Sequence, residues 1–225
     1  MAAIRMTLEE VGEIAEAALG GSGASQSNAA SVSRSTVLAE RDGIRSHGLM
    51  YVPIYAEHVA CGKVDGSAAP LVERVRNGSI RVDARSGFAH PAIDAGWSAL
   101  STAARENGVA AMTIYNSYNC GVLGHHAERL AEEGLLGLCF TNAPASIAPV
   151  GGQERVIGTN PFALGVPDGN GSALMVIDQS ASAIAKSEVM LRARTGEPIE
   201  GHWALDKRGN PTTDASEALK GSMAP

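Results

Sequence analysis

Within eleven residues, Arg41-Asp42-Gly43-Ile44-Arg45-Ser46-His47-Gly48-Leu49-Met50-Tyr51 gathers two guanidinium groups, a carboxylate, a hydroxyl, an imidazole and a phenol. Imidazole titrates near neutral pH and a neighbouring hydroxyl can orient it. Ser46 and His47 therefore have the makings of a general acid–base pair. The rival reading is a polar helix end in which His47 only bonds the last carbonyls. These residues alone leave both open.

Three further stretches set polar groups at the ends of apolar segments, where ligand sites in α/β sheets tend to lie. Asn116-Ser117-Tyr118-Asn119-Cys120-Gly121 reads as a strand-to-helix turn whose free amides could receive an anion, or as a bare structural turn. Thr141-Asn142-Ala143-Pro144, Pro149-Val150-Gly151-Gly152 and Gly158-Thr159-Asn160-Pro161 share one long loop. Its Thr and Asn side chains suit orienting a carboxylate or amide, and its prolines equally suit a stiff crossing. Asp178-Gln179-Ser180-Ala181-Ser182 leads to Lys186, Ser187 and Glu188. There Asp178 or Ser180 could cap a helix, and Glu188 alone reads as surface charge. Adjacent His125 and His126 diverge by about 100° on a helix, which suits no shared metal. The chain carries no HExxH, GxSxG or P-loop motif, so hydrolase and metalloenzyme readings have little behind them.

The elements that must position these residues are legible from periodicity. Thr7-Leu8-Glu9-Glu10 is a capping box opening a helix that ends at Gly20-Gly21. Ser25 opens a second helix with an apolar stripe through Ala29, Val32, Val37 and Leu38, and a third spans 52–59. Segments 71–75 and 80–83 alternate about Asn77-Gly78 as a hairpin. A helix over 92–107 and a buried strand over 109–115 follow, then a helix over 123–133 and a strand over 135–141. The last three form a crossover unit. A second hairpin, 162–166 with 173–177, flanks Asp168-Gly169-Asn170-Gly171. A helix over 180–194 precedes a final loop. The fold class is α/β: a mixed sheet with flanking helices and a small N-terminal helical layer.

With 44% apolar and 19% charged residues among 225, the composition is that of a folded chain. Net charge is −6 with no basic stripe, and aromatics make up only 4%. Nucleic acid and anionic membrane surfaces are therefore poor partners. No apolar run reaches a membrane-spanning length, and the N-terminus lacks a signal-peptide core. Cys61, Cys120 and Cys139, odd in number and irregular in spacing, suit a reducing cytoplasm and give no zinc pattern.

Five stretches together resemble the type 2 malate/L-lactate dehydrogenase family of NAD(P)-dependent oxidoreductases. They are Asp42-Gly43-Ile44-Arg45-Ser46-His47-Gly48, Asn116 through Gly121, Ala148 through Gly152, Gly158 through Pro161, and Asp206 through Asp214. They run in family order along nearly the whole chain. The resemblance implies a non-Rossmann fold, in keeping with the missing GxGxxG, and a homodimer binding NAD or NADP. It implies a substrate side over 1–88 and a cofactor-binding α/β region over 89–225.

By the same resemblance, Ser46 and His47 match a proton relay, with Glu188 where the imine reductases of the family carry an aspartate. Thr159 matches a substrate-contacting threonine. Asn119, Cys120, Gly121, Val122, Leu123, Asp178, Gln179, Ser180, Lys186 and Ser187 match cofactor-contacting segments. Three departures stand out. Tyr51 occupies the place of a carboxylate-gripping arginine, a role Arg45 or Arg41 could take. Asn119 stands where several dehydrogenases have a histidine. Relatives also continue beyond this chain's end, which points to a fragment or a truncated gene product. The implied reaction is hydride transfer between nicotinamide and C2 of a small 2-hydroxy/2-oxo acid. Reduction of a cyclic imino acid such as piperideine- or pyrroline-2-carboxylate is the alternative, and an inactive truncated remnant is the reading from another class.

Overall fold

Thr7 opens the first helix, α1 (Leu8–Gly21), with both halves of its capping box made, so two otherwise unpaired amides are satisfied at once. The computed structural model describes residues 4–225. Between Val122 and Leu123 the chain divides into two compact units.

In the first unit, α2 (Gln26–Arg41) starts at the Ser25 cap. Its buried face is Asn28, Ala29, Ser31, Val32, Ser33, Thr36 and Ala39. Val37 and Leu38, expected in that stripe, are only half-buried. Small hydroxyl residues win the face because they let helices approach closely while bonding locally. Ser33 Oγ donates to the Gly12 carbonyl (2.9 Å) and Thr36 Oγ1 to that of Val32 (3.2 Å). Helix α3 (Val52–Ala60) completes this layer around Leu19, Ala29, Val32, Tyr55, Val59, Val64 and Phe88.

Strands β1 (Leu71–Arg76) and β2 (Ser79–Asp83) form the expected Asn77-Gly78 hairpin. Helix α4 (Ala89–Asn107) then leads to β3 (Ala111–Tyr115), which pairs parallel with β2. Here lies the unit's crossover, β2–α4–β3, with Ile80 and Val82 packed against Ala92 and Ala103. The crossover expected over 109–141 does not form, because β3 and the next strand belong to different sheets. Nor is β3 a buried strand: Ala111, Thr113 and Tyr115 are exposed, with only Met112 and Ile114 turned toward this core. Helix α4 starts earlier than expected because Pro91 falls in its first turn, where a missing N–H costs nothing. The expected 88/89 division would fall inside this crossover.

In the second unit, α5 (Leu123–Glu132) covers one face of an antiparallel sheet ordered β4 (Gly137–Phe140), β5 (Phe162–Pro167), β6 (Ala173–Gln179). A Cβ on Gly165 would sit 2.1 Å from the Ala127 carbonyl oxygen, so only glycine lets α5 lie this close to β5. Gly165→Ala is expected to destabilise the chain by about 1–3 kcal/mol through overpacking, read as a lowered urea midpoint.

Beyond β6, helix α6 (Lys186–Thr195) begins later than the expected 180. Ser180 Oγ meets Ser182 Oγ at 3.0 Å, and Ser182 Oγ donates to the Ile184 carbonyl at 2.7 Å; these local bonds compete with helix. The final stretch is more than loop. It contains β7 (Ala204–Leu205), α7 (Ala215–Lys220) and β8 (Ser222–Met223), packed with Ile147, Val189 and Ile199. Asp214 caps α7 by accepting from the Ser216 and Glu217 amides. No helix among the described residues is long and apolar enough to cross a membrane.

Candidate active site

Helix α2 stops at Arg41, capped by Asp42, and Gly43 turns the chain with a φ of +73°. Ser46 and His47 lie beyond that end, on a one-turn 3-10 segment, Arg45–His47. His47 is therefore not the cap of α2, which removes the helix-end reading. Buried Ser46 places its Oγ 3.1 Å from His47 Nδ1. A hydroxyl on Nδ1 fixes ring orientation and directs external proton exchange to Nε2.

Glu40 holds this segment from the side. Its Oε1 accepts the Leu49 amide at 2.8 Å, reaching across Gly48, where a Cβ would fall 2.0 Å from the same oxygen. Gly48→Ala is expected to push Glu40 off the Leu49 amide and cost about 1–3 kcal/mol, measured by thermal melting.

An aromatic cluster extends from His47. Its ring lies at 8° to that of Tyr51, centroids 6.4 Å apart, and Tyr51 meets the edge of Tyr55 at 4.9 Å. Tyr55 in turn contacts Phe88 and Tyr118, each at 5.8 Å. Tyr118 O–H pairs with His58 Nδ1 at 2.5 Å. Burial raises the phenol pKa of Tyr51, Tyr55 and Tyr118, most strongly by desolvation, so all three are neutral hydroxyls at physiological pH. Tyr55 donates to Asn119 Oδ1 (3.0 Å), which also accepts the Gly121 amide (2.7 Å).

Two guanidinium groups could stand in for the arginine that Tyr51 displaces. Arg41 is held by Asp42 through bonds of 2.7 and 3.0 Å. Arg45 is exposed and makes no ion pair among the described residues, so it is the better placed to meet an anion.

The turn after β3 does not offer the row of free amides expected of an anion cradle. The Gly121 amide belongs to Asn119, and the Gly124 amide donates to Asp178 Oδ2 at 2.7 Å. Asp178 thus caps the start of α5. Asp178→Ala is expected to cost about 1 kcal/mol, read as a lower urea midpoint. Val122 and Leu123 are buried, leaving only their backbone for a ligand, while Cys120 is half-buried.

Also in the second unit, the Thr159 carbonyl accepts the Ala181 amide at 2.7 Å, which lays Thr159 beside Ser180. Asn160 Oδ1 braces the loop on the Ala143 amide. Gln179 is exposed at the end of β6. Lys186 and Ser187 start α6, whose N-cap, Ala185, gives no side-chain bond. Glu188 pairs with Arg192 at 3.0 Å; that guanidinium also donates to the Pro198 carbonyl and lies over Trp203.

Within the first unit, then, Ser46, His47, Tyr51, Asn119 and Gly121 form one connected set. Within the second, Asp178 joins α5, Thr159 joins the serine run, and Glu188 joins Arg192. Tyr55 and Glu40 were not singled out from sequence. Tyr55 had a signal, since it lies four residues from Tyr51 and so on the same helical face. Glu40 had none, because its partner is nine residues away across a turn.

A hydroxyl-held imidazole on an α/β chain without a nucleophile elbow is proton-exchange equipment of the kind dehydrogenases use. The chain belongs to the malate/L-lactate dehydrogenase family, whose model matches residues 6–225. It is 44% identical over 220 residues to a (2R)-3-sulfolactate dehydrogenase (NADP(+)) of Chromohalobacter salexigens, covering 98% of this chain and 66% of that protein. It is 39% identical to a Delta(1)-pyrroline-2-carboxylate/Delta(1)-piperideine-2-carboxylate reductase of Pseudomonas aeruginosa, with the same coverage of each. The crystal structure of delta1-piperideine-2-carboxylate reductase from Pseudomonas syringae superposes with a TM-score of 0.92 at 34% identity, over 99% of this chain and 67% of that one. The chain thus spans about two thirds of the length of the relatives it matches. The mixed α/β fold expected from sequence is the family's fold.

Proposed function

We propose that this chain carries the acid–base half of an NAD(P)-dependent oxidoreductase acting at C2 of a small 2-hydroxy/2-oxo acid. The observation that carries the reading is the 3.1 Å bond between Ser46 Oγ and His47 Nδ1 on a segment braced by Glu40. Similarity to a sulfolactate dehydrogenase adds support, while similarity to pyrroline- and piperideine-2-carboxylate reductases supports the cyclic imino acid alternative.

A bound nicotinamide cofactor supplies hydride. In the reducing direction C2 gains that hydride, its π pair moves onto oxygen, and the oxygen takes a proton from His47 Nε2. Ser46 holds the ring throughout. Arg45 is proposed to meet the carboxylate, with Tyr51 lining the site as a neutral hydroxyl.

The donor set suits a phosphate-bearing dinucleotide. Helix α6 begins with Lys186 and Ser187 behind an alanine N-cap that offers no side-chain acceptor to its first turn. Lys186 and Ser187 would hold phosphate there, with Asp178, Gln179, Ser180 and Leu123 as further contacts on that unit. Similarity to an NADP(+)-dependent sulfolactate dehydrogenase favours NADP over NAD.

Glu188 is proposed as the third member of the relay. On that proposal Glu188→Gln lowers kcat about tenfold; a kcat within twofold of wild type removes it from the relay. A homodimer in a cytoplasmic compartment completes the reading. The exposed Leu138 and Phe140 of β4 support association, and light scattering of the purified chain tests it. The activity itself is tested by following NADPH and NADH at 340 nm with a panel of 2-oxo acids and cyclic imines. Turnover of at least one class is expected, and none with either cofactor would contradict the reading.

A further inference from the structure

Two donors meet at one oxygen of Asn119. The Gly121 amide can only donate, so the atom 2.7 Å from it must be the carbonyl oxygen of the side chain; this settles which way the amide points. Tyr55 O–H fills the other lone pair at 3.0 Å, from a phenol that is 2% exposed. The acceptor capacity of Asn119 is thereby used up inside the fold. Its NH2 has no acceptor among the described residues, and the side chain is only half-buried. Asn119 therefore presents a pure hydrogen-bond donor. Through Tyr55 and Tyr51 it belongs to the same aromatic cluster as His47.

The two substrate classes left open above make opposite demands on such a group. A 2-oxo acid collects negative charge on its C2 oxygen as hydride arrives, and a fixed neutral donor stabilises that charge. A cyclic imine accepts hydride as the protonated iminium, so its nitrogen carries an N–H that needs an acceptor. Set against a donor, that N–H is left unpaired, which opposes binding.

We infer that Asn119 is a specificity-determining residue whose NH2, with its oxygen locked by Tyr55 and Gly121, selects substrates bearing oxygen at C2 over cyclic imino acids. This rests on the oxidoreductase reading above and names the substrate class within it. The acceptor it meets is the substrate oxygen rather than the carboxamide oxygen of the cofactor.

Asn119→Asp is the sharp test. The carboxylate is isosteric, still accepts from Tyr55 and Gly121, and turns the outward donor into an acceptor. The NADPH-saturated 225-residue chain and its variant are titrated by calorimetry with oxamate, which carries oxygen at C2, and with pyrrole-2-carboxylate, which carries a ring N–H. Wild type is expected to bind oxamate at least tenfold more tightly. Asn119→Asp is expected to lower that preference by about 10–100-fold while changing the Kd for NADPH less than threefold. Equal or tighter binding of pyrrole-2-carboxylate by wild type overturns the inference. So does an equal shift for both ligands, or a loss confined to NADPH, which would place the acceptor on the cofactor. If the variant does not fold, the wild-type preference decides alone. Failure of wild type to bind NADPH at all is a different result: it removes the oxidoreductase reading and this inference with it.

Discussion

Replacing His47 with alanine is expected to lower kcat by about 10²–10⁴-fold while leaving the Kd for NADPH within about threefold of wild type. Ser46 is bonded to the imidazole, and Glu40 holds the segment through Leu49 rather than through His47. The backbone of the site therefore survives loss of the ring. Stopped-flow turnover with a 2-oxo acid, beside a fluorescence titration of NADPH, separates chemistry from binding. A variant that turns over at the wild-type rate would remove His47 as the acid–base group. A large loss of cofactor affinity would instead make its role structural.

The second large effect concerns stability. Phe88 is 1% exposed and touches both Tyr55 and Tyr118, the rings that connect the His47 segment to the Asn119 turn. Phe88→Ala is expected to cost about 3–5 kcal/mol, through lost burial and the cavity left behind. Urea denaturation followed by circular dichroism reads it as a lowered midpoint. NADPH binding should weaken in parallel, because the turn loses its backing. A change below about 1 kcal/mol would mean the cluster relaxes around the gap and does not position the site.

Much of this architecture was legible in the sequence because its signals are local. The Thr7–Glu10 box, the Ser25 cap and the Asn77-Gly78 hairpin each depend on residues within four positions of one another, and each forms as read. What could not be read depends on partners far away. Strand β3 joins β2 rather than β4, a choice made by the apolar surface of α4 over Ile80 and Val82, and periodicity does not report which strands pair. The buried face of α2 was misplaced for a related reason. Its seryl and threonyl hydroxyls look solvent-facing until their acceptors in α1 and in the preceding turn of α2 are known.

The site divides along the same line. Ser46 and His47 are adjacent, so their bond was foreseeable. Asp178 as the cap of α5 was not, because Gly124 lies 54 residues away. Glu188 looked like a candidate third member, yet its closest partner, Arg192, is a plain i, i+4 neighbour that sequence could have flagged.

Whether the chain takes part in NAD(P)-dependent chemistry is settled most directly by titrating NADPH against the purified 225-residue protein, using the cofactor's own fluorescence. A saturable rise with a Kd in the range of about 1 μM to 1 mM, displaced by NADP and more weakly by NAD, is expected. A signal that grows only linearly with NADPH, with no saturation and no displacement, would contradict the oxidoreductase reading and leave the Ser46–His47 pair without a reaction to serve.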